Sequence, residues 1–201
     1  SEEIGLLWNG HQGFNAGVTL FNTDFKNKIS EVRRCTSKSD PACTLNGHSY
    51  DFISDRVNVD KANMRGVESM MDWAINDKWS VSGSYTFTQS EQKSGPLAGN
   101  ALNQMPRHMV NGSVDWQTTE DLSLWSRVNF RGETSEYLSR VKMAEGTPSY
   151  TFFDMGLVYK ANKHLDLTAG IYNLFDKTVD YTSFGTVLDG RRYTLGMTYN
   201  F

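Results

Sequence analysis

The sequence has few of the features that mark a soluble enzyme or a helical membrane protein. Its 201 residues include four prolines, two cysteines and four histidines, and the formal net charge is -3. A general nucleic-acid-binding protein would carry a basic excess, so we expect no nucleic-acid partner. The mean hydropathy is -0.51. The longest apolar runs are a few residues, far short of the roughly 20 that a transmembrane helix needs.

Targeting and catalytic motifs are missing as well. The start, SEEIGLLWNG, lacks the basic first segment and apolar core of a signal peptide. Either the protein is cytosolic, or the chain is a mature or internal piece of a longer one. There is no G-x-S-x-G motif, and no histidine is paired in a motif with a nucleophile and a carboxylate. The sequence therefore predicts that the protein is not an enzyme.

The two cysteines lie in one polar, turn-rich stretch. Cys35 and Cys43 fall within RRCTSKSDPACTLNGHSY, where their spacing does not match paired zinc ligands. We interpret them as a disulfide that closes a small ring, which requires an oxidising compartment. The alternative is two free surface thiols. The disulfide interpretation favours a secreted or envelope protein over a cytosolic one.

Glycine and aromatic residues are plentiful, with 17 glycines and 12% aromatics, a mixture typical of strands and turns. In WSVSGSYTFT, the residues Trp79, Val81, Gly83, Tyr85 and Phe87 alternate with serines and threonines. Such a period of two indicates a strand with one apolar and one polar face. The same alternation recurs along the chain. It predicts nine strands, near residues 2–9, 14–32, 55–75, 79–91, 108–118, 122–134, 149–161, 165–175 and 191–201.

The connections between these strands alternate in length. Short turns such as NGHQG and ANKH alternate with long polar loops near 33–54, 92–107, 135–148 and 176–190. An up-and-down meander with two unlike ends is typical of transmembrane β-barrels. Aromatic residues also recur near strand ends, where interfacial girdles belong. They are Trp73, Trp79, Trp116, Phe175 and Phe201.

The fold class predicted is therefore all-β, an antiparallel up-and-down β-barrel segment whose apolar rows face lipid. The apolar rows of the clearest strands contain no Arg or Lys, which would cost about 2–4 kcal/mol at mid-membrane. A soluble β-sandwich whose apolar face packs on a core would show the same alternation. Nine strands cannot close as a single-chain bacterial barrel, which has an even number. We therefore expect residues 1–201 to be the C-terminal part of a larger barrel domain.

Three stretches, in order along the chain, resemble one family. GIYNLFDKTVDY (170–181) resembles the penultimate-strand signature of TonB-dependent outer-membrane receptors. VNVDKANMRGVESMMDWAINDKWSVSGSYTF (57–87) resembles their N-x-x-x-A-x-x-x-G-x-E strand and the hairpin after it. LDGRRYTLGMTYNF (188–201) resembles their last strand, whose terminal aromatic is the outer-membrane insertion signal. The insertion row here is Tyr193, Leu195, Met197, Tyr199 and Phe201.

The resemblance implies a fold and a function. The whole protein would be a 22-stranded barrel in the outer membrane of a Gram-negative bacterium, filled by an N-terminal plug that this chain does not include. It would bind a ferric siderophore and import it with TonB-coupled energy. Among such receptors, the sequence most resembles the catecholate (ferric enterobactin) group. Iron would travel inside the chelator, so no cofactor or protein-bound metal is implied. Alternative cargoes are haem, cobalamin or a hydroxamate siderophore, and a passive porin is a further alternative.

The same resemblance implies partners. They are the siderophore, TonB with its inner-membrane motor proteins, outer-membrane lipid and lipopolysaccharide, and the barrel assembly machinery. Colicins or phages are also partners of such receptors.

A trianionic ferric catecholate needs cationic side chains and aromatic faces at the outer mouth. The candidate ligand-binding residues are Arg34, Arg131, Tyr137, Arg140, Lys142, Tyr181, Arg191 and Arg192. Charged residues on the predicted lumen side are expected to form networks in the wall against the plug. They are Glu68, Asp72, Asp115 and Arg127.

Overall fold

A computed structural model describes residues 1–10, 13–95, 98–102, 105–134 and 146–201. Nine long strands account for most of them. The strands are β1 (Glu2–Asn9), β2 (Phe14–Cys35), β5 (Ile53–Asn76), β6 (Trp79–Gln92), β7 (His108–Gln117), β8 (Leu122–Arg131), β9 (Tyr150–Asn162), β10 (Leu165–Tyr172) and β11 (Arg192–Tyr199). The smaller elements are a 3₁₀ helix (Pro41–Cys43), strands β3 (Thr44–Leu45) and β4 (His48–Ser49), and the helix α1 (Tyr181–Phe184).

The nine long strands form one antiparallel sheet in chain order, β1-β2-β5-β6-β7-β8-β9-β10-β11. The predicted all-β meander is therefore confirmed, with most strand ends within three residues of prediction. Four predicted strands ran past the observed ends: β7 ends at Gln117, β8 at Arg131, β10 at Tyr172 and β11 at Tyr199. The described residues include no helix with the length and apolar character needed to cross a membrane.

The sheet has two unlike edges, as predicted. The short-turn edge carries the connections 10–13, 77–78, 118–121 and 163–164, and the long-loop edge carries the others. An asparagine side chain closes each two-residue turn. Asn76 Oδ1 accepts from the backbone N–H of Lys78 at 2.9 Å, and Asn162 Oδ1 accepts from that of His164 at 2.9 Å. In each turn, the asparagine side chain accepts a hydrogen bond from the backbone N–H two residues further on, which satisfies a backbone donor inside the turn.

Strand register sorts the side chains into two faces. Because successive side chains point to opposite faces, one row of paired residues is apolar and the next is polar. The apolar row is Phe14, Trp73, Val81, Val114, Ser126, Met155, Ile171 and Tyr193. The adjacent polar row is Asn15, Asp72, Ser82, Ser113, Arg127 and Asp154.

Protein does not cover the apolar face. Leu195 is 89% exposed, Leu6 80% and Met197 71%. A β-sandwich would bury such a face beneath a second sheet, and the described residues form no second layer over it. The sandwich alternative therefore has no support in the fold, whereas a lipid-facing sheet requires this exposure.

Aromatic side chains cluster at both borders of the apolar face. Near the short-turn edge, Trp79 and Trp116 stack with their ring centroids 4.9 Å apart. Towards the long-loop edge, Phe153 and Phe175 meet edge to face at 5.2 Å. Such rows match the aromatic girdles that flank the apolar band of a transmembrane barrel.

The hairpin of β2 and β5 is the longest in the sheet and ends in a cross-linked tip. Its strands have 22 and 24 residues, about twice the 9–11 that cross a membrane. Cys35 and Cys43 form a disulfide with their Cα atoms 5.6 Å apart, as predicted. The 3₁₀ helix is the last part of the ring closed by the disulfide, the β3–β4 hairpin follows directly after it, and Cys43 is fully buried. The tip is therefore a small folded unit beyond the sheet.

We predict that thiol titration of the unreduced, denatured protein finds no free sulfhydryl, and that reduction reveals two. Replacing both cysteines by serine (C35S/C43S) should destabilise the tip by roughly 2–3 kcal/mol, since the cross-link restricts the unfolded loop. Limited proteolysis within 36–52 would report that loss, with cleavage at the short turns as the control. Two reactive thiols before reduction would contradict the assignment.

Candidate functional site

Aromatic and cationic side chains gather where the polar face meets the long-loop edge. Arg131, the last residue of β8, lies opposite Tyr150, the first residue of β9. The ring of Tyr150 packs against Phe152 at 5.2 Å and against Phe184 at 5.6 Å. The ammonium of Lys177 lies 5.9 Å from the Phe184 ring centroid. We call these five residues the mouth cluster.

The loop that supplies Phe184 and Lys177 is held by the residues of the Asn-Leu-Phe-Asp sequence. Asn173 is buried and its side chain accepts from the backbone N–H of Lys177 at 2.8 Å. The same side chain donates to the carbonyls of Lys177 and Asp189. Asp176 accepts from the backbone N–H of Arg191 at 2.8 Å. These bonds therefore join the two ends of the loop to each other, immediately after β10 and immediately before β11.

The short helix α1 is capped at both ends. Asp180 accepts from the backbone N–H of Ser183 at 2.8 Å, and this bond holds the pKa of the Asp180 carboxyl below its usual range. Gly185 ends the helix with φ of 68°, a conformation that favours glycine. Val179, just before the helix, is 1% exposed. These anchors fix the position of Phe184 in the mouth cluster.

A second group, the cation–aromatic row, continues across the polar face. The guanidinium of Arg192 lies 5.5 Å from the Tyr172 ring centroid. The Tyr172 ring lies 5.9 Å from that of Trp125, and the guanidinium of Arg127 lies 4.9 Å from the Trp125 ring. The row therefore places two neighbouring aromatic rings between two guanidinium groups, and each of the two cation–π contacts contributes about 0.5–2 kcal/mol.

Two glycines make room for this row. Trp125 is in β8 and Tyr172 in β10, so the indole must lie across β9. A Cβ on Gly156 would lie 2.5 Å from Trp125 Cζ2, and one on Gly170 would lie 3.2 Å from a Tyr172 ring carbon. Both distances are shorter than ordinary contact, so only glycine leaves space for the two rings there.

The structure brings together some of the predicted ligand residues and separates others. Arg131 joins the mouth cluster, and Arg192 ends the cation–aromatic row, where it also pairs with Asp189 at 3.2 Å. Tyr181 is exposed on α1. Arg191 is held by Asp176, with 3.8 Å between the charged atoms. The predicted residues Tyr137, Arg140 and Lys142 lie outside the described residues.

Arg34 lies on the β2–β5 hairpin, separated from β8 in the sheet by three strands. Its Nε donates to Asp55 at 2.8 Å, and a second guanidinium nitrogen contacts the other carboxylate oxygen. This pairing lowers the pKa of Asp55 and raises that of Arg34. Arg34 therefore stabilises the hairpin locally and is less suited to an external anion than Arg192.

All four predicted wall residues lie on the polar face. Asp72 and Arg127 line a shallow cleft of about 320 Å³, together with Ser84, Asn111 and Asn129. Glu68 pairs with Thr19 and Thr86 in the sheet. Asp115 pairs with Ser80 and Trp125. None of the four forms an ion pair within the described part of the chain, so their expected role against a plug stays a prediction.

A larger cleft of about 450 Å³ lies at the long-loop edge between β6 and the segment after β8. Its charged lining residues are Glu91, Arg107 and Glu133. Two carboxylates and one guanidinium suit a bulky anion poorly. The mouth cluster and the cation–aromatic row suit an anion with aromatic rings better, because they offer guanidinium and ammonium groups beside aromatic faces.

Sequence reasoning missed the site roles of Tyr150, Phe152, Lys177, Trp125 and Tyr172. A usable signal existed for Trp125, because it is a large aromatic residue on the polar row of β8; in the structure it lies opposite Gly156. No such signal existed for Lys177, whose position depends on the fold of its loop.

Comparison with known proteins gives a consistent result. Residues 2–174 match the family model described as TonB dependent receptor-like, beta-barrel. The whole chain aligns with 30% of the length of the iron-regulated outer membrane virulence protein of Vibrio cholerae, and the two are 37% identical over the aligned region. A ferric enterobactin receptor of Pseudomonas aeruginosa is 32% identical over 88% of this chain and 24% of its own length.

One solved structure is of a ferric enterobactin receptor variant from Pseudomonas aeruginosa in complex with enterobactin. The structural match covers 98% of this chain and 30% of the receptor chain. Its TM-score is 0.71 and the sequence identity is 28%. The chain thus spans about 30% of the length of such relatives.

We predict that Gly156→Ala displaces the Trp125 ring, because the added methyl group would overlap it and the backbone carbonyl of Ala169. The free energy of unfolding should fall by about 1–3 kcal/mol, and the near-ultraviolet circular dichroism of the tryptophans should change. Gly83→Ala is the matched control, since its Cβ would have no neighbour closer than 3.5 Å. Equal effects of the two substitutions would contradict the close packing of Trp125 over Gly156.

Proposed function

The chain belongs to the TonB-dependent receptor family, as part of its β-barrel domain, and on that premise we propose that it serves a ferric-siderophore importer of the catecholate type. The whole protein would bind the iron complex at the cell surface and carry it across the outer membrane of a Gram-negative bacterium. The function is transport, so no covalent bond of the cargo changes and iron stays in its chelator.

The observation that carries this proposal is the row on the polar face in which two aromatic rings lie between two cations. A ferric tris-catecholate is a compact trianion that presents aromatic rings. Arg192 and Arg131 would neutralise its charge, and Tyr150, Phe184 and Tyr172 would contact the rings. The net charge of -3 gives no general attraction for an anion, so these local cations must supply it.

The relatives support the cargo class. Among the similar proteins are receptors named for ferric enterobactin and for catecholate siderophores. We propose the same class for this chain. No cofactor is needed, because the iron arrives and leaves as part of the cargo.

The architecture of the whole protein is part of the proposal. The outer edges of β1 and β11 carry backbone groups with no partner strand in the described sheet. Hydrocarbon cannot hydrogen-bond such groups, so further strands must close the barrel. We propose that residues 1–201 form its C-terminal part, that the barrel has 22 strands, and that a plug fills it.

The remaining partners follow from the same proposal. TonB and its motor proteins would move the plug. The barrel assembly machinery would recognise the terminal row of Tyr193, Leu195, Met197, Tyr199 and Phe201. The surrounding outer-membrane lipid would contact the apolar face, and colicins or phages would use the long loops.

We predict that Arg192→Gln in the full-length receptor weakens binding of ferric enterobactin about tenfold or more, because charge-assisted contacts contribute about 1.5–3 kcal/mol. Arg131→Gln should act in the same direction. Lys163→Gln, at the short-turn edge, is the matched control and should bind normally. Quenching of tryptophan fluorescence by the iron complex measures the affinity.

Other cargoes and mechanisms give distinct outcomes in the same system. Binding of haem, cobalamin or a hydroxamate complex, with no binding of any ferric catecholate, would reject the cargo class and leave the family assignment intact. Uptake that persists in cells lacking TonB would contradict active import and favour a passive pore.

A further inference from the structure

The cleft of about 450 Å³ at the long-loop edge is a separate cavity beside the mouth cluster. Its volume lies within the roughly 300–1,000 Å³ that is typical of small-molecule sites. Hydroxyl groups, an amide and one long apolar side chain line it, from Thr88, Ser90, Thr134, Gln89 and Met105. We call this cavity the polar cleft.

Hydrogen bonds hold both walls of the polar cleft. On one wall, the N–H of Gly99 donates to the carbonyl of Gln92 at 2.8 Å. The Gln92 side chain is 2% exposed and donates to the carbonyl of Ala101 at 3.3 Å. On the other wall, the buried Thr134 donates its N–H to the carbonyl of Thr147 at 3.0 Å, and its hydroxyl accepts from the N–H of Thr147 at 3.2 Å. The polar cleft is therefore formed before any ligand binds.

Two opposite charges face each other across the polar cleft. Met109 pairs with Arg131, and two residues further along both segments Arg107 lies opposite Glu133. A β-bridge one residue beyond this pair shows that the register continues. Side chains directly opposite have their Cβ atoms about 4.5–5.5 Å apart, yet these two form no ion pair within the described part of the chain. Both line the polar cleft, so their charged groups are available to a ligand.

An uncharged group that is rich in hydroxyls suits this lining. An anion would lie beside the carboxylates of Glu91 and Glu133, and a cation would lie beside the guanidinium of Arg107. A sugar hydroxyl, in contrast, can donate to the Glu133 carboxylate and accept from the Arg107 guanidinium. The C–H face of the sugar ring can pack on Met105. A sugar therefore satisfies both charges and leaves neither of them opposed.

The polar cleft adjoins the mouth cluster. Glu133 lies two residues beyond Arg131 on the same extended segment and on the same face, so their Cα atoms are about 6.6 Å apart. Between them, the N–H of Gly132 donates to the carbonyl of His108 at 2.7 Å, which keeps this segment beside β7. One ligand can therefore place charged rings at the mouth cluster and a neutral substituent in the polar cleft.

We propose that the polar cleft binds a sugar carried by the ferric catecholate, so that the receptor prefers a glycosylated form of its cargo. Arg107 and Glu133 bind the sugar hydroxyls, while the mouth cluster binds the charged iron complex. Because one molecule occupies both sites, the sugar adds affinity without changing how the catecholate is held. The inference rests on the proposed function and narrows its cargo.

The test compares ferric enterobactin with a glucosylated form of the same chelator, on the full-length receptor, by quenching of tryptophan fluorescence. The glucosylated complex should bind about tenfold more tightly, because its hydroxyls add charge-assisted hydrogen bonds. Glu133→Ala and Arg107→Ala should each remove most of this preference. Both should keep the normal affinity for ferric enterobactin, which also shows that they are folded. Glu120→Ala, at the short-turn edge, is the matched control and should keep the preference.

The other outcomes separate two kinds of failure. Equal affinity of the unchanged receptor for the two complexes would overturn the sugar site and leave the catecholate function standing. Binding of neither complex would refute the proposed function itself. Equal losses for both complexes in Glu133→Ala and Arg107→Ala would show that these residues support the catecholate site or the fold, and would also overturn the inference. Saturable calcium binding that Glu133→Ala abolishes would assign the polar cleft to a cation instead.

Discussion

The rest of the structure depends on the pairing of backbone groups between neighbouring strands. A segment in hydrocarbon has no water to satisfy its N–H and C=O groups, so they must bond to adjacent strands. Here every inner strand pairs on both sides, and the register fixes which side chains share a face. Once Phe14 lies opposite Trp73, the alternation of apolar and polar rows follows along both strands. The exposed apolar face and the polar face that carries the candidate site are consequences of this one register.

The unlike edges of the sheet separate two tasks. At the short-turn edge, asparagine side chains close turns of two residues. At the long-loop edge, Asn173 and Asp176 join the two ends of a loop, which places Phe184 beside Tyr150 and Lys177 beside Phe184. The cation–aromatic row then extends this surface across the polar face, over positions where Gly156 leaves space.

Sequence reasoning succeeded where local pattern determines structure. The two-residue period located all nine strands, and the two cysteines predicted a disulfide, because each depends on residues close in the chain. Arg131 and Arg192 lie at the long-loop edge, where the strand pattern put them, and their role in ligand binding stays a prediction. It did not foresee that Asp55 pairs with Arg34, or that Trp125 crosses a strand to reach Tyr172. These contacts depend on side-chain geometry between strands, which periodicity does not encode.

The central claim is that the apolar rows contact lipid and the polar rows enclose the interior. Spin labels at positions 81 and 195 in the full-length receptor test it most directly, with labels at 84 and 194 for comparison. We expect oxygen to relax the labels at 81 and 195 far more than a water-soluble nickel chelate does, and we expect no such preference at 84 and 194. A preference for the nickel chelate at 81 and 195 would contradict it.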